Sequence, residues 1–219
     1  MSKAFSPHEL EARRNGTPTL GAGKIYDVPE EEILVNDFPI PDHFWLAYGL
    51  DVGWNRTAAI WTAEDRDADV VYLWSEHYAG DAIPAVHATA IKARGHIPGV
   101  IDPASRGRNQ VDGQRLLDLY AEAGLDLTTA DNAVEAGILA VRERLVAGKL
   151  KVFRSLGNFV SEYRLYRRDE KGKVVKMRDH LMDAARYAIM SGLDRARQRT
   201  RSRQANYRQG LNSSRVFSG

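Results

Sequence analysis

Phe44-Trp45-Leu46-Ala47-Tyr48-Gly49-Leu50-Asp51-Val52-Gly53-Trp54 is the stretch on which the reading of this chain turns. From Phe44 to Leu50 it is apolar, as a strand buried on both faces must be, and it then stops on a carboxylate. A charge at the end of a buried strand is costly unless something pairs with it. Two more aspartates stand in comparable places. Pro98-Gly99-Val100-Ile101-Asp102 is a short apolar strand with an acid at its end, and Asp179-His180-Leu181-Met182-Asp183-Ala184-Ala185-Arg186-Tyr187 puts a third acid in the opening turns of a helix.

Working outward, the segment after Asp51 predicts a meander. Thr57 to Ala63 favours strand, Asp65 to Asp69 is a turn, and Val70 to Tyr78 alternates as a third strand. Helical spacing follows over Ile83–Arg94, then the strand ending at Asp102, a helix over Gly113–Ala123 and a short strand over Leu125–Thr129. A helix over Val134–Ala147 stops at Gly148. Lys149–Phe153 predicts a strand, Asn158–Arg167 a helix, and Asp169–Lys173 a hairpin turn between Tyr166 and Lys176. A long helix is expected from Asp179 to about Arg199. The order βββ-α-β-α-β-α predicts an α/β fold: a mixed sheet, antiparallel in its meander and parallel beyond it, with helices on both faces and an extra basic hairpin.

Composition frames this. The 219 residues, 43% hydrophobic and 27% charged, suit one sizeable domain with extensions. There is no cysteine, hence no disulfide and no thiolate metal site. No apolar run approaches the roughly 20 residues that span a bilayer, and the N-terminus lacks a signal-peptide core, so no membrane partner is expected. Residues 1–43 are polar and broken by Gly and Pro, and are expected as a linker or arm that packs on the following domain. Residues 44–199 are expected as the compact domain, and 200–219 as a basic flexible tail. Gly16 to Lys24 superficially resembles a phosphate loop, but the spacing is wrong and Ile25 stands where a hydroxyl is needed.

On this map Asp51 and Asp102 end neighbouring parallel strands at one sheet edge, where sites collect in open α/β sheets. Asp183 reaches the same edge if its helix packs across the first strand. Asp179 and Asp183 share a helix face, as do His180 and Asp183, and Ala184, Ala185 and Ala188 allow close approach to the sheet. Clustered carboxylates without sulfur suit Mg²⁺ or Mn²⁺. Two such ions, roughly 3.5–4 Å apart, can activate a water and stabilise a leaving oxygen in phosphodiester cleavage. Taken singly, Asp102 before Pro103 also reads as a turn former, Asp179 as a helix cap and His180 as a surface histidine.

Tyr48-Gly49-Leu50-Asp51-Val52-Gly53-Trp54, Val100-Ile101-Asp102 and Arg178 to Tyr187 together resemble the ribonuclease H-like superfamily, and within it the C-terminal nuclease domain of tailed-phage terminase large subunits. The resemblance covers about residues 8–195. It implies a metal-dependent endonuclease that cuts concatemeric DNA, with Asp51, Asp102 and Asp183 as ligands of two Mg²⁺ or Mn²⁺ ions and either Asp179 or His180 assisting. It implies double-stranded DNA, a packaging-motor ATPase domain, a small terminase subunit and a portal protein as partners, in the host cytoplasm and transiently at the procapsid portal. Residues 1–43 would then be the connection from an upstream motor.

Such an enzyme must hold a polyanion. Arg106 and Arg108, after Asp102, and Arg167, Arg168, Lys171, Lys173 and Lys176, around the hairpin, are expected to contact phosphates without reading sequence. From residue 195 to 215 the chain carries seven arginines and no acid, a pattern suited to nucleic acid or an acidic partner surface. Two other readings fit the residues: a Holliday-junction resolvase or ribonuclease H-type nuclease on the same fold, and a non-catalytic DNA-binding or portal-docking module whose acidic cluster is structural.

Overall fold

The computed structural model describes residues 23–53, 55–106 and 115–199. The first 22 residues of the expected arm, Trp54, Arg108 and the tail from residue 200 lie outside the described residues. The chain enters through β1 (Gly23–Lys24), α1 (Glu30–Ile33) and β2 (Leu34–Val35). The meander follows as β3 (Trp45–Val52), β4 (Thr57–Asp65) and β5 (Val70–Ala79), antiparallel throughout. Next come α2 (Pro84–Lys92), β6 (Gly99–Ile101), a 3₁₀ turn over Pro103–Arg106, α3 (Leu116–Glu122), β7 (Leu127–Thr129), α4 (Val134–Val146), β8 (Leu150–Phe153) and α5 (Gly157–Leu165). The main sheet runs β2-β8-β5-β4-β3-β6-β7, with parallel pairing of β2 to β8, β5 to β8, β3 to β6 and β6 to β7. This is the expected mixed α/β sheet. No helix among the described residues is long and apolar enough to cross a membrane.

Alternation along β3 decides what each sheet face carries. Tyr48 stacks on Trp61 of β4, its ring centroid 5.5 Å away, and a Cβ on Gly99 would strike the Tyr48 ring at 2.4 Å. Gly49 points the other way, toward α6 (His180–Tyr187), where a Cβ would lie 2.0 Å from the Ala184 carbonyl oxygen and 2.9 Å from the Ala188 nitrogen. Helix and strand therefore meet backbone to backbone, and the buried alanines of α6 make that possible.

Residues 23–43, within the stretch expected as a linker or arm, are folded onto the domain and complete its edge. Ile25, Tyr26, Ile33 and Ile40 are buried, and β2 adds a strand beside β8. Arg142 with Asp27 and Arg164 with Glu30 form surface ion pairs. The last helix departs from the expected outline, being shorter than expected. It is α-helical over His180–Tyr187, widens to a π turn over Ala188–Gly192 and tightens to a 3₁₀ turn over Leu193–Arg195. The chain then becomes extended as β10 (Arg197–Gln198), which pairs with Trp45 and Leu46. The physical reason is the sheet itself: β6 covers β3 only along Tyr48–Leu50, and the backbone groups before that need a partner. The hairpin expected around Asp169–Lys173 is present, and its strand β9 (Arg167–Arg168) pairs with β1.

Away from the sheet edge, the His87 imidazole donates from Nε2 to the Ala82 carbonyl at 3.2 Å and accepts at Nδ1 from His77 Nε2 at 2.9 Å. Burial, then the neighbouring His87 and Arg94, push His77 down to about 4, and burial also pushes His87 down, so both rings favour the neutral form. An unfolded histidine titrates near 6.5. Between those values the unfolded chain binds the extra proton, so the stability from this pair is present above about pH 6.5 and is lost as pH falls toward 4. Thermal unfolding should therefore give a lower Tm at pH 5 than at pH 7.5, and His77→Gln should shrink that difference. An unchanged difference in the variant would contradict the assignment.

Candidate metal and nuclease site

Asp51 and Asp102 meet at the carboxyl edge of β3 and β6. Leu50 is in register with Ile101, and the Asp102 amide donates to the Leu50 carbonyl at 2.9 Å. The close approach at Gly49 brings Asp183, one residue before Ala184, to the same edge. Asp51 and Asp183 are each 8% exposed. Burial pushes the Asp51 carboxyl above its ordinary range, the His180 hydrogen bond pulls it back, and the neighbouring charges of Asp183 and Asp102 push it up again. Asp51, Asp102 and Asp183 thus lie at one end of the sheet, beside the opening turns of α6.

Each acid already has partners. His180 donates from Nδ1 to Asp51 Oδ2 at 2.9 Å, and this bond holds the imidazole above its ordinary range against the opposing effect of burial. Lys176 Nζ lies 2.7 Å from Asp183 Oδ2 and 3.0 Å from Asp179 Oδ2. Burial works against the Lys176 charge, but the two carboxylates more than offset it and raise the ammonium above its ordinary range. On its other oxygen Asp183 accepts from the Arg186 guanidinium at 3.1 Å. Asp102 accepts the Ala104 amide at 3.0 Å and the Tyr187 hydroxyl at 3.3 Å. Among the described residues, no group of three or more His, Cys, Asp or Glu side chains forms a ready-made metal cage. The acids are balanced instead by Lys176, Arg186 and His180.

Several of these partners were not expected from sequence. Arg186 and Tyr187 stand three and four residues after Asp183, a helical spacing that could have marked them. Arg186 is almost wholly buried, and its stem lies where a Cβ on Gly137 of α4 would be, 2.3 Å from Arg186 Cγ. Burial, then the charges of Asp102 and Asp183, raises the Tyr187 hydroxyl. Asn132 accepts from Arg186 at 3.3 Å and from Tyr187 at 3.5 Å, and no sequence signal pointed to it.

The basic residues divide. Arg167, Lys171 and Lys173 are exposed on the hairpin. Lys176 faces the acids as well as solvent, its side chain 57% exposed. Arg168 requires a correction: it is 5% exposed, paired with Glu135 at 2.6 Å and donating to the Gly172 carbonyl at 2.9 Å. It closes the hairpin onto α4 and is not available at the surface. Arg106 ends the 3₁₀ turn after Asp102.

Residues 48–191 match the family described as the terminase RNase H-like domain. The large terminase subunits of Enterobacteria phage LP7 and Salmonella phage P22 are each 40% identical to this chain over 205 and 202 residues, covering 87% and 85% of it. Those matches take in 42% and 39% of the relatives, so the chain spans about two-fifths of the curated relatives it matches. The solved P22 large terminase nuclease domain superposes with a TM-score of 0.74 at 35% identity, covering 82% of this chain and 97% of that one. The nuclease domain of the bacteriophage SPP1 large terminase, solved with bound Mn, shares the fold at a TM-score of 0.55 and 19% identity, covering 74% of this chain and 97% of that one.

Lys176 places one cation between two buried carboxylates, and removing it leaves both without that charge. Lys176→Met should cost on the order of 1 kcal/mol, given the exposure of the lysine, which is a Tm lower by about 2–4 °C for a domain of this size. Calorimetry without divalent cations checks this, and an unchanged Tm would show that the bridge carries no stability.

Proposed function

This chain belongs to the family of terminase RNase H-like domains, and on that premise we propose that it is a metal-dependent endonuclease that cuts concatemeric phage DNA during genome packaging by two-metal phosphodiester hydrolysis. What supports the proposal is a shared sheet edge: Asp51 lies at the end of β3, Asp102 follows β6 with its amide on the Leu50 carbonyl, and Asp183 stands beside Ala184, whose carbonyl packs against Gly49.

The donor set fits a hard divalent cation. It is built of carboxylate oxygens with no sulfur, and the acids are now held by protein cations whose charge a metal would replace. In this reading Asp51, Asp102 and Asp183 hold Mg²⁺ or Mn²⁺, with Asp179 or His180 assisting. When bound, two such ions supply an activated water and stabilisation of the leaving oxygen.

The rest is done by this chain's own side chains. His180 holds a proton at Nδ1 and orients the Asp51 carboxylate. Arg186, fixed by burial against α4, orients Asp183 from the side opposite Lys176. Tyr187 orients Asp102 through its hydroxyl. Arg167, Lys171 and Lys173 present positive charge to a DNA backbone, which gives affinity that falls with salt and carries no sequence preference. The partners of this reading are double-stranded DNA, a packaging-motor ATPase domain, a small terminase subunit and a portal protein, met in the host cytoplasm at the procapsid portal.

Plasmid cleavage with Mg²⁺ or Mn²⁺ tests the proposal. Supercoiled DNA should be cut in the presence of the ion and spared in chelator. Asp51→Asn and Asp183→Asn should each lower cleavage by at least about 100-fold, since losing even an outer partner of a metal ligand costs 10–100-fold. Full activity in either variant would falsify the assignment.

A further inference from the structure

The opening of α6 is capped in an unusual way. Asp179 stands at the N-cap position, where its carboxylate would ordinarily accept the first free amides of the helix. It makes no such side-chain bond. Its backbone carbonyl accepts the Asp183 amide at 2.8 Å, while its carboxylate turns to Lys176. The preceding residue, Arg178, has φ 54°, a left-handed conformation that a side-chain-bearing residue adopts only under constraint from its surroundings.

The amides are satisfied from elsewhere. Glu162, on α5, is 2% exposed, and its Oε2 accepts the Leu181 amide at 2.6 Å. Its other oxygen, Oε1, is buried with no hydrogen-bond partner among the described residues. A negative side chain on a different helix thus does the work that the residue at the cap position would otherwise do, and it places its charge where the helix dipole favours it.

We propose that Glu162 is a positioning residue of the site: by capping α6 from α5 it releases the Asp179 carboxylate from helix capping and leaves it on Lys176, the cation it shares with Asp183. This rests on the reading of the site as a divalent-cation centre. Without Glu162 the Leu181 amide is left without its acceptor, and the side chain able to replace it is Asp179, which then leaves the site. Glu162 touches no reacting atom in this account and acts only through Asp179 and the start of α6.

Mn²⁺ affinity, measured by titration with electron paramagnetic resonance, tests this in the whole chain. Glu162→Leu, which keeps the buried volume filled, should weaken Mn²⁺ binding by about 10-fold or more. Glu162→Gln, which retains an acceptor oxygen, should bind nearly as the wild type does. In an Asp179→Ala background, Glu162→Leu should cause no further loss, because the carboxylate it redirects is gone. Equal losses in both backgrounds, or a Glu162→Gln variant as weak as Glu162→Leu, would overturn the proposal. Should the wild type bind no Mn²⁺, the reading of the site fails, and amide exchange still judges the cap. Leu181 exchange should be slow in the wild type and in Glu162→Gln, and fast in Glu162→Leu. Slow exchange in Glu162→Leu would refute it.

Discussion

The backbone-to-backbone contact between Gly49 and the turn Ala184–Ala188 is the constraint on which the rest of this structure depends. Any side chain at Gly49 would sit 2.0 Å from the Ala184 carbonyl oxygen. That approach fixes where α6 lies along β3, and a one-residue slip of either element would carry its acid away from the other. With the contact made, Asp51 is two residues along the strand and Asp183 is one residue back on the helix. Asp102 then arrives through the parallel register of β6, where its amide meets the Leu50 carbonyl. Three acids distant in sequence converge because one glycine lacks a Cβ.

Convergence of that kind must be balanced by charge, since buried carboxylates without partners would push one another toward the neutral form. The chain meets this with His180 on Asp51, Lys176 across Asp183 and Asp179, and Arg186 on the far oxygen of Asp183. These cations differ in exposure. Arg186 is locked by Gly137 and by its own burial, whereas Lys176 is more than half exposed at the end of the hairpin. A buried cation on one side and an exposed one on the other suit a site that holds its acids in place and can still exchange one charge for another. The ion pair between Arg168 and Glu135 ties the base of that hairpin to α4.

Much of this was legible in the sequence because it rests on local pattern. The apolar run ending at Asp51, the meander, the short strand ending at Asp102 and the alanines beside Asp183 all follow from spacing alone, and the family resemblance joined them into one site. What was not legible depends on partners distant in sequence. Leu34-Val35 is too short to announce a strand and becomes one only beside β8. The final helix gives way to β10 because β6 leaves part of β3 unpaired, which no helical propensity encodes. Arg168 reads as one more surface charge in a basic hairpin until Glu135 is seen beside it. Glu162 reads as part of an amphipathic helix, and its use as a cap for α6 exists only in three dimensions.

A crystal structure of the domain grown with saturating Mn²⁺ tests the central claim most directly. The account predicts manganese bonded to the carboxylates of Asp51 and Asp183 on the Asp102 side of the sheet edge, with the Lys176 ammonium withdrawn from Asp183. Manganese bound elsewhere, or Lys176 still bridging Asp179 and Asp183 with no metal between Asp51, Asp102 and Asp183, would contradict it.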